Sequence, residues 1–327
     1  MPDSVVSTVD LKKYFSSRNG VVKAVDGVNL SVSAGRVFGF LGPNGAGKTT
    51  TLRILTTLIV PDSGQALVAG YDVLRDPNSV RNHIGYVSQA GGSDRPATGR
   101  ENLLLQGRLY GMPKPDAEKR AAELIDLLDL TEFADRIVYT YSGGQRRRLD
   151  VALGIMHEPQ VLFLDEPTTG LDPQNRANLW EQIRKLKATG TTIFLTTHYL
   201  EEADVLSDYL AIMDYGRIVA EGTPAELKRQ IGLDTIRITL SDSTQCDAVA
   251  GQVLEGLDMV KSVVREQDCL RISAENGEAA LPQIFKVLDQ ADIAVMEISL
   301  STPTLDDVFL EKTGRSLRDT AAEGGGR

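Results

Sequence analysis

The chain has 327 residues, 42% hydrophobic and 24% charged, with a formal net charge of −10. That balance excludes a disordered chain, and the acidity argues against nucleic acid as a partner, because phosphates call for a basic face. At roughly 100–200 residues per domain, the length suggests two domains.

In chain order, Val5 to Val9 and Gly27 to Val32 read as alternating strands. Arg36 to Leu41 is a continuous apolar strand that stops at Gly42-Pro43-Asn44-Gly45. A helix follows from Gly47, with Leu52, Ile54, Leu55 and Leu58 on its apolar face. Gln65 to Val68 and Ile84 to Val87 are short strands, and the Gly- and Ser-rich stretch 90–99 is a loop. Glu101 to Tyr110 and Ala117 to Leu128 have helical periodicity, and a punctuated loop at 140–144 opens a helix through Met156. Gln160 to Leu164 is a buried strand ending in Asp165-Glu166-Pro167. Helix 174–187, strand 191–196, helix 199–206 and strands 209–214 and 217–221 follow. Strands alternating with helices indicate an α/β unit with a largely parallel core.

Beyond residue 231 the pattern changes. Strand 235–240, helix 245–254, a hairpin of 259–265 and 269–274, helix 281–290 and strand 294–300 give the order β-α-β-β-α-β. That is a split-βαβ, ferredoxin-like α+β unit. Domains are therefore expected at 1–230 and 231–315, with a disordered tail over 316–327 and a helical subdomain at about 90–157. No apolar run reaches the roughly 20 residues of a membrane span. Met1-Pro2-Asp3-Ser4 has no signal-peptide character. Cys246 and Cys269 form no CxxC pattern and read as small half-buried hydrophobes of a reducing cytosol. A cytoplasmic protein is expected, with any membrane role supplied by a partner.

Gly42-Pro43-Asn44-Gly45-Ala46-Gly47-Lys48-Thr49 fits G-x-x-x-x-G-K-[ST] between a strand and a helix, the setting a phosphate loop requires. The glycines let successive N–H groups face phosphate oxygens, and the helix N-terminus adds partial positive charge. Lys48 is placed to reach the β- and γ-phosphates, and Thr49 to offer a hydroxyl to Mg²⁺. Leu162-Phe163-Leu164-Asp165 is a Walker B strand that delivers Asp165 to that metal, with Glu166 next in line to orient or activate water.

From these residues the chain resembles the ATP-binding-cassette (ABC) ATPase family. Tyr141-Ser142-Gly143-Gly144-Gln145 resembles the signature loop, which usually starts with Leu. Gln89 sits at the Q-loop position, and Thr169-Gly170-Leu171-Asp172 looks like the D-loop. His198 matches the switch histidine, and Tyr14 is placed like the aromatic residue that stacks on adenine. The resemblance covers about Val5 to Lys228. Leu305-Asp306-Asp307-Val308-Phe309-Leu310, followed by Thr313-Gly314, is similar to the tail of daunorubicin-resistance ATP-binding subunits.

The resemblance implies a P-loop cassette that binds ATP and Mg²⁺ between two head-to-tail copies, either a homodimer or a pair with a related subunit. Gly42 to Thr50, Thr50 included, would hold phosphates and metal. Asp165 and Gln89 would serve Mg²⁺, Glu166 would be the general base, and His198 would contact the γ-phosphate. Ser142, Gly143, Gly144 and Gln145 would close on the other copy's ATP, and Asp172 would bridge the subunits. A separate transmembrane permease, exporting drugs, lipids or natural products from the cytoplasmic side of the membrane, would meet the stretch 90–110. The alternative is a soluble ABC ATPase of translation, repair or cofactor assembly. Arg146-Arg147-Arg148 reads as a solvated helix face or as phosphate and dimer contacts, against a nucleic-acid patch. His83 and His157 read as surface or satisfied structural histidines. The C-terminal domain carries no catalytic constellation and reads as a dimerisation or regulatory module.

Overall fold

Three apolar runs, Val37–Leu41 (β3), Val161–Asp165 (β7) and Thr192–Thr197 (β8), are buried at every position, as strands covered on both faces must be. The computed structural model describes residues 4–17, 20–241, 257, 259–266, 269–291 and 293–315. One unit runs to Pro224 and resumes at Lys312; the other spans Ala225–Glu311.

In the first unit, β3, β7 and β8 join Ile84–Val87 (β6), Tyr209–Asp214 (β9) and Arg217–Gly222 (β10) in a six-stranded sheet of order β10-β9-β3-β8-β7-β6. Every pairing is parallel except β9 with β10. A second, antiparallel sheet of order β2-β1-β4-β5 is built from Ser4–Ser17 (β1), Gly20–Ser33 (β2), Ser63–Val68 (β4) and Tyr71–Asp72 (β5). One core cluster joins this sheet, Lys48–Leu55 (α1) and one set of sheet residues, among them Phe38, Phe40, Phe163 and Phe194. The other set packs under Gly99–Leu109 (α3), Lys114–Leu127 (α4), Gly143–Gly154 (α5) and Pro173–Ala188 (α6).

Pro77–His83 (α2) is a helix that hydrophobic periodicity does not reveal, since Val80 is its one buried residue. Its signal is Pro77 at the first helical position, where a missing N–H costs nothing. Leu200–Leu206 (α7) follows β8, and Pro224–Ile231 (α8) lies where the units divide.

In the second unit, Asp234–Leu240 (β11), Val260–Glu266 (β12), Cys269–Ala274 (β13) and Val295–Ser301 (β14) form an antiparallel sheet of order β12-β13-β11-β14. Helix Gly277–Gln290 buries Ala280, Ile284 and Leu288, spaced one turn apart, in a cluster with Ile236, Ile238, Leu270 and Ile272. The expected helix 245–254, the turn Gln267-Asp268, Cys246 and the tail 316–327 lie outside the described residues; Cys269 is half-buried. In the helix Leu305–Thr313, Leu305, Val308 and Phe309 are buried, and Asp307 N–H donates to the Thr304 hydroxyl at 3.3 Å. Where the chain rejoins the first unit, Arg315 Nη2 lies 2.7 Å from Asp214 Oδ1 and its guanidinium sits 4.6 Å over the Tyr215 ring.

The Phe194 ring lies 5.1, 5.7 and 5.3 Å from those of Phe38, Phe40 and Phe163, and is fully buried. Phe194→Ala is expected to destabilise the first unit by about 3–5 kcal/mol through the cavity it leaves. A shift of its urea transition below about 1 kcal/mol would show that this cluster is not the keystone of the core.

Candidate nucleotide site

The carboxyl ends of β3, β7 and β8 converge, the place where open α/β sheets bind ligands. After β3 the chain curls through residues 42–47 into α1. Gly47 is the N-cap of α1 with φ +110°, and a Cβ there would stand 2.0 Å from Ala24 O, so only glycine fits. Asn44 and Gly45 are exposed at the mouth of the loop, and Thr49 and Thr50 are half-buried behind it. Lys48 is 4% exposed. Its Nζ donates to Gly42 O at 2.7 Å and Pro43 O at 3.0 Å, and lies 3.4 Å from Glu166 Oε1. Burial lowers the lysine pKa, and Glu166 opposes that shift.

At the end of β7, Asp165 Oδ1 accepts from Thr49 Oγ1 at 3.1 Å and Thr196 Oγ1 at 2.7 Å. The strand stops at once, because Glu166 adopts φ +44°, a left-handed conformation unusual for a residue with a Cβ. Its N–H is held by Thr196 O at 3.1 Å and Thr196 Oγ1 at 3.0 Å. Glu166 Oε2 lies 3.1 Å from His198 Nδ1, and Thr169 Oγ1 donates to the same oxygen at 3.3 Å. Burial raises the Glu166 pKa, but the His198 contact and the Lys48 charge outweigh it and bring it down to about 2.

The other expected site residues divide by what holds them. Tyr14, on β1, donates its hydroxyl to Asp26 Oδ1 at 2.5 Å, and Arg217 Nη2 reaches Asp26 Oδ2 at 2.7 Å. Gln89 is exposed, beside a cleft of ≈ 230 Å³ that Gly143, Arg147 and Gly170 also line. Ser142 caps α5 in a reciprocal box: Gln145 N donates to Ser142 Oγ at 3.2 Å, and Ser142 N to Gln145 Oε1 at 3.0 Å. Tyr141 donates its hydroxyl to Phe133 O at 2.6 Å and stands edge-on to the Phe133 ring. Asp172 caps α6 by accepting from Asn175 N at 3.0 Å. The structure thus assembles Lys48, Thr49, Asp165, Glu166 and His198 in one cluster, while Tyr14, Ser142 and Asp172 are held by bonds outside it and Gln89 is exposed.

Residues 25–169 match the ABC transporter family model, and residues 222–313 match the C-terminal domain of DrrA1-3-like ATP-binding proteins. The daunorubicin/doxorubicin resistance ATP-binding protein DrrA of Streptomyces peucetius is 44% identical, over 98% of this chain and 96% of its own. The chain belongs to the ABC transporter family. The linearmycin resistance ATP-binding protein LnrL of Bacillus subtilis is 37% identical, over 95% of this chain and 98% of that one. The Nod factor export ATP-binding protein I of Ralstonia nicotianae is also 37% identical, over 96% and 95%. Among solved structures, an ATP-binding subunit of an ABC transporter superposes with a TM-score of 0.61 at 27% identity, covering 69% of this chain and 93% of that one. As an ABC cassette the chain binds and hydrolyses ATP.

Two buried charged side chains are bonded to the backbone around this site. Arg147 is 7% exposed, so of the expected alternatives for Arg146–Arg148 the solvated face does not hold at this residue, while Arg146 and Arg148 are half-buried. Its guanidinium donates to Ser88 O, Asp165 O and Pro167 O at 2.6, 3.1 and 2.7 Å. Asp150, 4% exposed, accepts from Gly92 N and Ser93 N, each at 3.0 Å. The legible signal was their spacing: 147, 150, 151 and 154 share the buried stripe of α5, where two charges interrupt apolar residues. Of the two readings given for His83 and His157, the satisfied structural one holds: both are half-buried, with a ring nitrogen 2.7 Å from Ser79 O and 2.9 Å from Ile84 O respectively.

The Glu166 carboxyl sits at about 2 in the folded protein against an ordinary 4.5, so it adds stability that is complete above about 4.5 and is lost as pH falls toward 2. The stability advantage of wild type over Glu166→Gln should therefore shrink steadily over that range in urea unfolding. A difference that does not vary with pH would reject the depressed carboxyl.

Proposed function

We propose that the chain is the ATP-hydrolysing subunit of a membrane exporter of drugs, lipids or natural products. It would act with a separate transmembrane subunit, at the cytoplasmic side of the membrane. The observation that carries the hydrolytic part is the Lys48–Glu166–His198 cluster, with contacts of 3.4 and 3.1 Å around one carboxylate. The relatives named for drug resistance and export support the transport part.

In this reading the N–H groups of residues 45–50 and the start of α1 receive the phosphates. Lys48, now resting on two carbonyls and Glu166, moves its charge to the phosphates. Losing that cation removes one of the two partners, after His198, that hold the Glu166 pKa down, and makes the carboxylate a better acceptor for a proton from water. Thr49 and Asp165, whose side-chain oxygens meet at 3.1 Å and are donors of the kind Mg²⁺ prefers, would hold it together with Gln89. When bound it neutralises phosphate charge. Tyr14 presents its ring to adenine, held in place through its bond to Asp26. His198 faces the γ-phosphate.

Ser142 and Gly143 are exposed at the start of α5, and among the described contacts they touch none of Lys48, Glu166 or His198. That arrangement supports a second copy whose ATP they complete, with Asp172 near the seam. The permease is expected at a cleft of ≈ 370 Å³ lined by Ser88, Gly91, Gln106, Tyr110 and His157, beside exposed Leu105 and Leu109 on α3. A helix seated there would press on the residues flanking Gln89.

Glu166→Gln is expected to keep ATP binding and to lose hydrolysis by about 100-fold or more; a rate near wild type would reject Glu166 as the base. The same variant, purified with ATP from detergent-solubilised membranes, should bring a polytopic membrane protein in near-equal amount. Recovery only from the soluble fraction with ribosomal, DNA or assembly-factor partners would overturn the transporter reading.

A further inference from the structure

The segment that carries Gln89 is fastened to the signature helix α5 at both ends. Before Gln89, Ser88 O accepts from Arg147 Nη1 at 2.6 Å. After it, Gly92 N and Ser93 N donate to Asp150 Oδ1, each at 3.0 Å. Between them Gly91, with φ +80°, passes so close that a Cβ would stand 2.4 Å from Asp150 Oδ2. The same guanidinium donates to Asp165 O at 3.1 Å and Pro167 O at 2.7 Å, the carbonyls on either side of Glu166. Two side chains one turn apart on a single helix therefore grip the backbone around Gln89 and around Glu166.

Packing alone does not call for this pair. A buried cation and a buried carboxylate cost desolvation, and apolar residues of similar volume fill such a stripe at least as stably. What charged groups add here is direction. A planar guanidinium carries five N–H donors and can meet three carbonyls at fixed angles. We infer that Arg147 and Asp150 are positioning residues for ATP hydrolysis, fixing Gln89 and Glu166 relative to the helix that begins at Ser142. The residues that serve this chain's own ATP and the loop offered to the other copy's ATP are then set by one rigid element. The inference rests on the reading that Gln89 serves the hydrolytic step.

The test is steady-state ATP hydrolysis by the full chain, with affinity for a fluorescent ATP analogue and thermal unfolding measured on each variant. Asp150→Ala should lower kcat by about tenfold or more and leave KM and analogue affinity within about twofold, because it disturbs geometry and not the phosphate loop. Asp150→Asn keeps the oxygen that Gly92 and Ser93 need, and should return most of the rate. Arg147→Lys should fall between wild type and Arg147→Met. If Arg147→Met does not fold, with three carbonyls left unmet, the Asp150 pair still decides. The double variant Gln89→Ala/Asp150→Ala should be no slower than Gln89→Ala, since both losses pass through one glutamine. Asp150→Ala at the wild-type rate, or a double variant that loses the product of the two single losses, would overturn the inference. Gln89→Ala at the wild-type rate would instead remove the reading beneath it.

Discussion

Lys48 is a cation held almost out of water, and much of the site follows from that one fact. A buried ammonium must find acceptors. It finds two in the loop it belongs to, Gly42 O and Pro43 O, which keeps the loop curled. It finds its counter-charge in Glu166, which ties the start of α1 to the end of β7. Thr49, next in sequence, makes the neighbouring tie to Asp165. The phosphate loop and the carboxylates Asp165 and Glu166 thus stand registered to each other, and the site is organised around charges that nucleotide can compete for.

Chemistry that is local in sequence was legible in sequence. The phosphate loop needs its glycines and Lys48 within eight residues, Asp165 and Glu166 are adjacent, and Tyr141 to Gln145 are contiguous. Strands buried on both faces announced themselves as apolar runs. What stayed hidden depends on the fold. Asp26 holds Tyr14 and Arg217 from far along the chain. Thr196, a polar residue in an apolar strand, holds both Asp165 Oδ1 and the N–H of Glu166. Arg147 looked like one basic residue of three because nothing in a run of arginines says which one points inward. Helix α2 escaped because one buried valine makes no periodicity.

The chain's acidity says little about its chemistry. A net charge of −10 is a property of the whole, whereas the site is ruled by two buried cations. Composition bears on partners reached through long-range fields. It does not report a potential set within a few ångströms by Lys48 and Arg147.

Those two cations flank the same strand exit and differ in what they hold. Arg147 is bonded to main-chain carbonyls on both sides of Glu166, which no nucleotide can take from it. Lys48 is bonded to the phosphate loop and to the Glu166 side chain, and phosphate is the stronger anion. On the proposed reading, arrival of ATP would change one side of Glu166 and leave the other fixed. The backbone stays where α5 and Thr196 hold it, in its left-handed turn. On the same reading the carboxylate gives up its lysine to the phosphates, and His198, 3.1 Å from it, also faces the γ-phosphate. A group with its main chain anchored and its counter-ion removed changes basicity without changing place, which is what a site that must wait for nucleotide before it acts requires.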